Sequence, residues 1–233
     1  MGRLAIFLLL MMPPSSPERS SYDAAFHSDV YRFSEQGLRN AYTSSVIVTS
    51  ASPTAAVAVG SGNYFHIHGH RFILTAAHVI PNGASIVITE RSGLNYKAEV
   101  VLMDQAVDLA ILKVEKPLRF TNPIDYRPSR RVDVGKEVFY CGQPNMMYFT
   151  TYEGRISGTS NQYLMVDTFA WPGSSGSVLF AKSGRVVGII SAVSMDAPTG
   201  VPVLIPNLVR VGPVSNYTRS DILEILLNEC PRD

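Results

Sequence analysis

From Ser45 onward, the chain is built of short apolar runs rich in Val, Ile, Phe and Tyr, each bounded by Gly, Pro, Asn or Asp. Such runs read as β-strands, and the gaps between them seldom leave room for a helix. The first set is Ser45–Thr49, Ala55–Val59, Arg71–Thr75, Ser85–Thr89, Ala98–Asp104 and Ala110–Val114. The second is Glu137–Cys141, Gly154–Gly158, Gln162–Val166, Gly176–Phe180, Val186–Ala192 and Val201–Ile205. A Pro- and Arg-containing segment, Glu115 to Asp133, divides them. The pattern predicts an all-β fold of two six-stranded antiparallel barrels side by side, and disfavours parallel βαβ architecture. Barrel one spans about 45–120 and barrel two about 132–210. Loosely spaced apolar positions at Val30, Phe33, Leu38 and Tyr42 suggest one helix within Asp29–Tyr42. A C-terminal helix at 220–228 follows from the apolar face of Ile222, Leu223, Ile225 and Leu226, with Thr218 and Asp221 placed as a capping box. No internal repeat is evident.

Composition narrows the class. With 46% hydrophobic and 17% charged residues in 233, the chain is globular and long enough for a sizeable core. A formal net charge of +1 gives no electrostatic reason to expect a nucleic-acid partner. Arg127, Arg130 and Arg131 form a small basic cluster that reads as a solvated linker. Cys141 and Cys230 could form at most one bridge, and two separate thiols, with Cys141 buried in a strand, are the competing reading. Arg3 followed by the apolar run Leu4 to Met12 has the form of an export signal, too short to span a bilayer. Residues 1–27 thus read as a signal-like, unstructured leader, although Pro13 to Pro17 offer no Ala-x-Ala cleavage site. Secreted or periplasmic placement is favoured; an N-terminal tail on an intracellular or virion-associated protein is the alternative.

The candidate chemistry centres on Trp171-Pro-Gly-Ser-Ser-Gly-Ser-Val-Leu-Phe180, a serine set between glycines at the start of an apolar run. A serine hydroxyl holds its proton tightly and needs a base, which in turn needs an orienting acid. Thr75-Ala-Ala-His-Val79 and Val107-Asp-Leu-Ala-Ile-Leu112 supply both. The order His78, Asp108, Ser175 differs from the Ser–Asp–His of esterase sheets and from the Asp–His–Ser of subtilisin-type enzymes. Asp104 is the weaker candidate acid, and Ser174 and Ser177 fall outside the Gly-x-Ser-Gly frame. His66, His68 and His70 make an alternating run that could suggest zinc, with the first two on one strand face, but no Cys or acid cluster accompanies them. Exposed strand and turn histidines are the preferred reading. Asn216-Tyr-Thr218 is a glycosylation triplet, and Trp171 reads as a packing residue beside the serine loop.

On these three motifs the chain resembles the trypsin/chymotrypsin-fold serine proteases from about Ser45 to the C-terminal helix. Gly60-Ser-Gly62, Glu153-Gly-Arg-Ile-Ser157 and Gly184-Arg-Val-Val-Gly-Ile-Ile-Ser-Ala192 make it most similar to the HtrA/Deg branch and related viral or bacterial enzymes, without a PDZ domain. The resemblance implies a protease domain over 28–233 that hydrolyses peptide bonds through an acyl-enzyme. Ser175 would be the nucleophile, His78 the base and then acid, and Asp108 its orienter. The amides of Gly173 and Ser175 would form the oxyanion hole. Phe169 would lie at the base of the pocket for the residue preceding the cut, with Ser191, Ala192 and Val193 forming its wall and pairing with an extended substrate. No acid at that base disfavours Lys or Arg, so small or medium apolar residues are expected. Digestive relatives carry an activating aspartate where this chain has Ser174, so activity without N-terminal cutting is expected. No cofactor and no metal are called for; the partner is a polypeptide substrate, and an oligomer is left open. The alternatives are a viral-type protease dedicated to one partner or polyprotein, and a catalytically silent binding or virion protein on the same fold.

Overall fold

The computed structural model describes residues 33–52, 55–160, 162–196 and 203–228. The leader, the start of the Asp29–Tyr42 segment and Cys230 lie outside the described residues. The chain opens with helix α1 (Gln36–Ser44) and runs directly into β1 (Ser45–Ser52). Strands β2 (Ala55–Ile67), β3 (His70–Thr75), β4 (Ser85–Thr89), β5 (Asn95–Asp104) and β6 (Leu109–Val114) follow. They join in the order β1-β4-β5-β6-β3-β2, and the antiparallel β1–β2 pairing closes the ring. Strands β8 (Glu137–Gly142), β9 (Thr150–Ser160), β10 (Tyr163–Asp167), β11 (Val178–Ala181), β12 (Val186–Asp196) and β13 (Val203–Pro213) make a second set. They close into a barrel in the order β10-β13-β12-β11-β8-β9. All twelve expected strands are present. Several are longer than their apolar runs because hairpin pairing carries polar residues into the ladder, as where β2 pairs with β3 from Asn63 to Ile67.

Two features depart from the pattern. The linker contains a two-residue strand, β7 (Ile124–Asp125), parallel to β2 at Phe65 and His66, too short to register as a run. The first helix sits a few residues late, at 36–44. Its Gly37 packs so tightly on the Ala181 carbonyl that a Cβ would come within 2.3 Å, so this helix face is pressed onto barrel two. The C-terminal helix α2 (Arg219–Asn228) carries the expected capping box: the Thr218 amide donates to Asp221 Oδ2 at 2.8 Å and the Asp221 amide to Thr218 Oγ1 at 3.3 Å.

Strand alternation explains how the two barrels share a wall. Val138, Tyr140, Leu179, Val187 and Ile190 point into barrel two. Their neighbours Cys141, Val178, Phe180, Val186 and Ile189 point the other way and join the core of barrel one. Phe65, Phe72 and Tyr126 complete an aromatic layer there, with Phe65 5.7 Å from Phe72 and 6.1 Å from Phe180. Each such ring is worth about 1.5–3 kcal/mol of burial, so the seam is part of the core. Cys141 is a free thiol inside it, and burial pushes it up to about 11. Among the described residues, no helix is long and apolar enough to cross a membrane.

Candidate active site

Barrel one supplies the histidine and the aspartate. After β3 the chain makes a single 3-10 turn, Ala77–Val79, which buries Ala77 and Val79 and leaves His78 at the surface. Asp108 occupies the β5–β6 turn in a left-handed conformation, φ 54°, a region that Asp tolerates better than most residues. Asp104 shapes that turn: its Oδ1 accepts the Ala106 amide at 2.8 Å, and its Oδ2 accepts the Tyr217 hydroxyl. It is a turn-former and does not contact the histidine. Asp108 does. Its Oδ2 lies 2.7 Å from His78 Nδ1, and its Oδ1 accepts the His78 amide at 2.9 Å.

Burial pushes the Asp108 carboxyl up, but hydrogen bonds from the His78 ring, the Ser191 hydroxyl and the His78 amide outweigh it and hold the group below the usual carboxylate range. An ionised carboxylate only accepts, so Nδ1 must donate, and Nε2 of the neutral ring is left as an acceptor. Sequence reasoning placed Ser191 on the substrate wall and missed this second task. A β-bulge between Ile190 and Ala192 takes Ser191 out of the β12–β13 ladder, and its hydroxyl turns to Asp108 Oδ2. A bulge depends on strand register and leaves no local mark in sequence.

Barrel two supplies the serine loop, residues 171–177 between β10 and β11. Every backbone amide in it can be accounted for. Trp171 donates to Ser174 Oγ at 3.2 Å, Ser174 to the Trp171 carbonyl at 2.8 Å, Gly176 to Ile190 at 2.9 Å and Ser177 to Ser174 at 3.0 Å. Pro172 has no N–H. Among the described residues, Gly173 and Ser175 are left, and neither amide has a protein acceptor. These are the two amides assigned to the oxyanion hole on the family resemblance. Gly173 stands at φ 103°, and a Cβ there would come within 2.2 Å of the Gln143 carbonyl, so only glycine fits.

The serine turn and the histidine turn both lie against β2. The Ser61 amide donates to the Ser175 carbonyl at 2.7 Å, and the Ser61 hydroxyl to the Gly173 carbonyl at 2.7 Å. At Gly60, a Cβ would lie 2.8 Å from Val79 and 2.9 Å from the Ser175 carbonyl, which is why the serine turn can press against the histidine turn. The Gly60-Ser-Gly62 triplet was legible as a likeness, but its mechanical task was not. Among the described residues, Ser175 Oγ has no hydrogen-bond partner, and serine–histidine bonds of this kind commonly tighten only when substrate arrives.

Around the cleft, Phe169 is half-buried and lies 5.3 Å from Tyr152, which lies 5.1 Å from Tyr140. The Phe169 carbonyl accepts the Tyr140 hydroxyl. Ser174 is wholly buried, its hydroxyl accepting the Trp171 amide within the turn. Val193 packs against the barrel-two core. The three alternating histidines do not share a strand face: His66 is in β2, His68 is in the turn at φ 47° and His70 begins β3. Turn geometry therefore breaks the alternation expected of them.

The trypsin-like peptidase domain family matches residues 56–189, a span that carries His78, Asp108 and the serine loop. The chain belongs to that family. A probable periplasmic serine endoprotease DegP-like from Rhizobium meliloti is 33% identical over 144 residues, 58% of this chain and 28% of the relative. The chloroplastic Protease Do-like 1 of Arabidopsis thaliana is 31% identical over 67% of this chain and 40% of its own length. The chain thus spans well under half the length of these curated relatives. Among solved structures, a serine endoprotease from Yersinia pestis superposes with a TM-score of 0.64 at 25% identity, over 86% of this chain and 69% of that one. The HtrA-type protease AlgW with tripeptide superposes at 0.66 and 22% identity, over 83% and 63%, a likeness of fold.

Proposed function

We propose that this trypsin-like peptidase is a serine endopeptidase working through an acyl-enzyme on Ser175. The observation that carries the reading is the His78 Nδ1 to Asp108 bond of 2.7 Å, set across the cleft from a loop with two unspent amides. With Nδ1 committed to Asp108, Nε2 takes the Ser175 proton as Oγ attacks the scissile carbonyl. The carbonyl oxygen, becoming an oxyanion, is received by the Gly173 and Ser175 amides, while the Asp108 carboxylate stabilises the imidazolium. That imidazolium gives its proton to the departing amine, and water repeats the sequence to free the acyl group and restore Ser175.

The substrate is a polypeptide in extended form along β12. A small or medium apolar residue before the cut fits Phe169 and Val193, and the neutral, buried Ser174 supports a site that works without N-terminal cutting. Relatives named as periplasmic, together with the Arg3 and Leu4–Met12 pattern, support export. The test is labelling by a fluorophosphonate probe. The native chain should label and Ser175→Ala should not; an unlabelled native protein removes the proposal.

A further inference from the structure

Outside the catalytic cleft, a cavity of about 470 Å³ is lined by Arg127, Arg130, Arg185 and Arg219, with Asp125 the one carboxylate on its wall among the described residues. The arginines come from three separate segments. Residues 127–129 lie along Val186 as a parallel bridge: the Val186 amide donates to the Arg127 carbonyl at 2.8 Å and the Ser129 amide to the Val186 carbonyl at 2.7 Å. This brings the linker arginines to Arg185, in the turn of the β11–β12 hairpin. That turn is at the opposite end of the hairpin from Ser175 and Ser191. Arg219, the first residue of α2, is drawn in by Asp125. Arg131, the third member of the cluster visible in sequence, pairs with Asp133 at 2.8 Å and does not line the cavity.

Charge on this wall is out of balance. Both oxygens of Asp125 are already taken, Oδ2 by Arg127 Nε at 2.8 Å and Oδ1 by Arg219. Arg185 reaches only the Pro128 carbonyl, at 3.3 Å, and among the described residues neither it nor Arg130 has a carboxylate. Four guanidinium groups against one carboxylate leave three positive charges in excess, within a chain whose whole formal charge is +1. Like charges held around one pocket repel, and an anion entering it relieves that repulsion. The Ser215 hydroxyl also lines the wall, whereas those of Thr218 and Ser220 are bonded to each other, and that of Thr218 to Asp221 as well. The helix end is not the attraction, because Asp221 already occupies the Thr218 amide and hydroxyl.

We propose that this cavity is a binding site for a phosphate monoester. A planar guanidinium matches two phosphate oxygens at once, and Arg130 and Arg185 keep such pairs of donors uncommitted. The volume exceeds what one phosphate fills, leaving room for the organic group that carries it. The site is independent of the peptidase chemistry.

The test is calorimetric titration of the full-length chain with O-phospho-L-serine and with inorganic phosphate, at ionic strength fixed by sodium chloride. One saturable site is expected for phosphoserine, weakened about tenfold or more in Arg130→Ala/Arg185→Ala, since the double variant removes the charge-assisted bonds to the phosphate. Arg131→Ala should bind as the native chain does. Tighter binding of phosphoserine than of inorganic phosphate supports an ester as the ligand, and equal binding assigns the site to the free ion instead and overturns the ester. No saturable heat, or equal binding by the double variant, overturns the site altogether. Neither arginine holds a carboxylate, so loss of binding with an unchanged melting temperature distinguishes a lost site from a lost fold.

Discussion

The two halves of the cleft are held in different ways. The His78–Asp108 half stands on regular structure: β6 pairs with both β3 and β5 beneath it, and its neighbours Ala77, Val79 and Leu109 are buried. The Gly173–Ser175 half rests on a loop without regular pairing, with glycines at φ 103° and 87°. It leans on a second loop, 143–149, in which Asn145, Met146 and Phe149 all adopt left-handed backbone at φ 49°, 59° and 56°. Such positions cost of order 1–2 kcal/mol each outside glycine, so that loop persists only because its surroundings hold it. The acid–base half is therefore set by the fold, whereas the oxyanion half is set by a few contacts.

The largest break should come in the rigid half, because its chemistry depends on one proton. In Asp108→Asn the amide would donate to His78 Nδ1, forcing the proton onto Nε2 and removing the base. A fall of about 10⁴ in the fluorophosphonate labelling rate is expected, with little change in fold. A loss below tenfold would show that Asp108 does not orient the base. In the other half, Gly173→Ala sets a methyl against the Gln143 carbonyl, at 2.2 Å, in a backbone region closed to alanine. Turning that amide away should cost about 10²–10³ in labelling rate.

How much of this was legible follows the same division. The His78, Asp108 and Ser175 motifs and the twelve strands are local, written in adjacent residues and in period-two alternation. The supports of the oxyanion half are not. Ser61 reaches Gly173 across 112 positions, a contact that exists only once the barrels pack. Arg91 is a further case: a polar residue in the β4–β5 turn, with nothing in its neighbourhood to mark it.

The structure gives Arg91 a holding role. Its guanidinium lies 3.8 Å from the Tyr42 ring and 4.2 Å from Phe149, and donates to the Tyr42 carbonyl at 2.9 Å. Phe149 in turn donates its amide to Gln143 Oε1 at 2.6 Å, and the Gln143 carbonyl abuts Gly173. Barrel one thus grips the loop that backs the oxyanion site. Two cation–π contacts in a half-buried place are worth about 1–2 kcal/mol together, so Arg91→Ala should slow labelling about tenfold. Lysine keeps the charge but not the flat face, and Arg91→Lys should restore only part of the rate. Full restoration by lysine would mean that charge alone matters. Amide hydrogen exchange in 143–149 should rise in step with the loss.

The smallest effect tests whether the rigid half has a weak support of its own. The Tyr217 hydroxyl donates to Asp104, tying the lead-in to α2 to the turn that carries Asp108. That bond, together with those from the Ala106 and Val107 amides, outweighs burial and holds the Asp104 carboxyl below the usual range. A carboxyl depressed in the folded chain stabilises above its unfolded pKa of about 3.9, and the contribution is lost as pH falls through the lower folded value. Asp104→Asn should therefore melt below the native chain at pH 7, and the gap should close as pH falls below about 4. Its labelling rate at pH 7 should change less than threefold, because Asp108 keeps its own bonds to His78. A gap that stays constant with pH would show that the carboxylate's charge does no holding. A large loss of labelling would place Asp104 in the same mechanical unit as His78 and weaken the claim that the strands alone set that half.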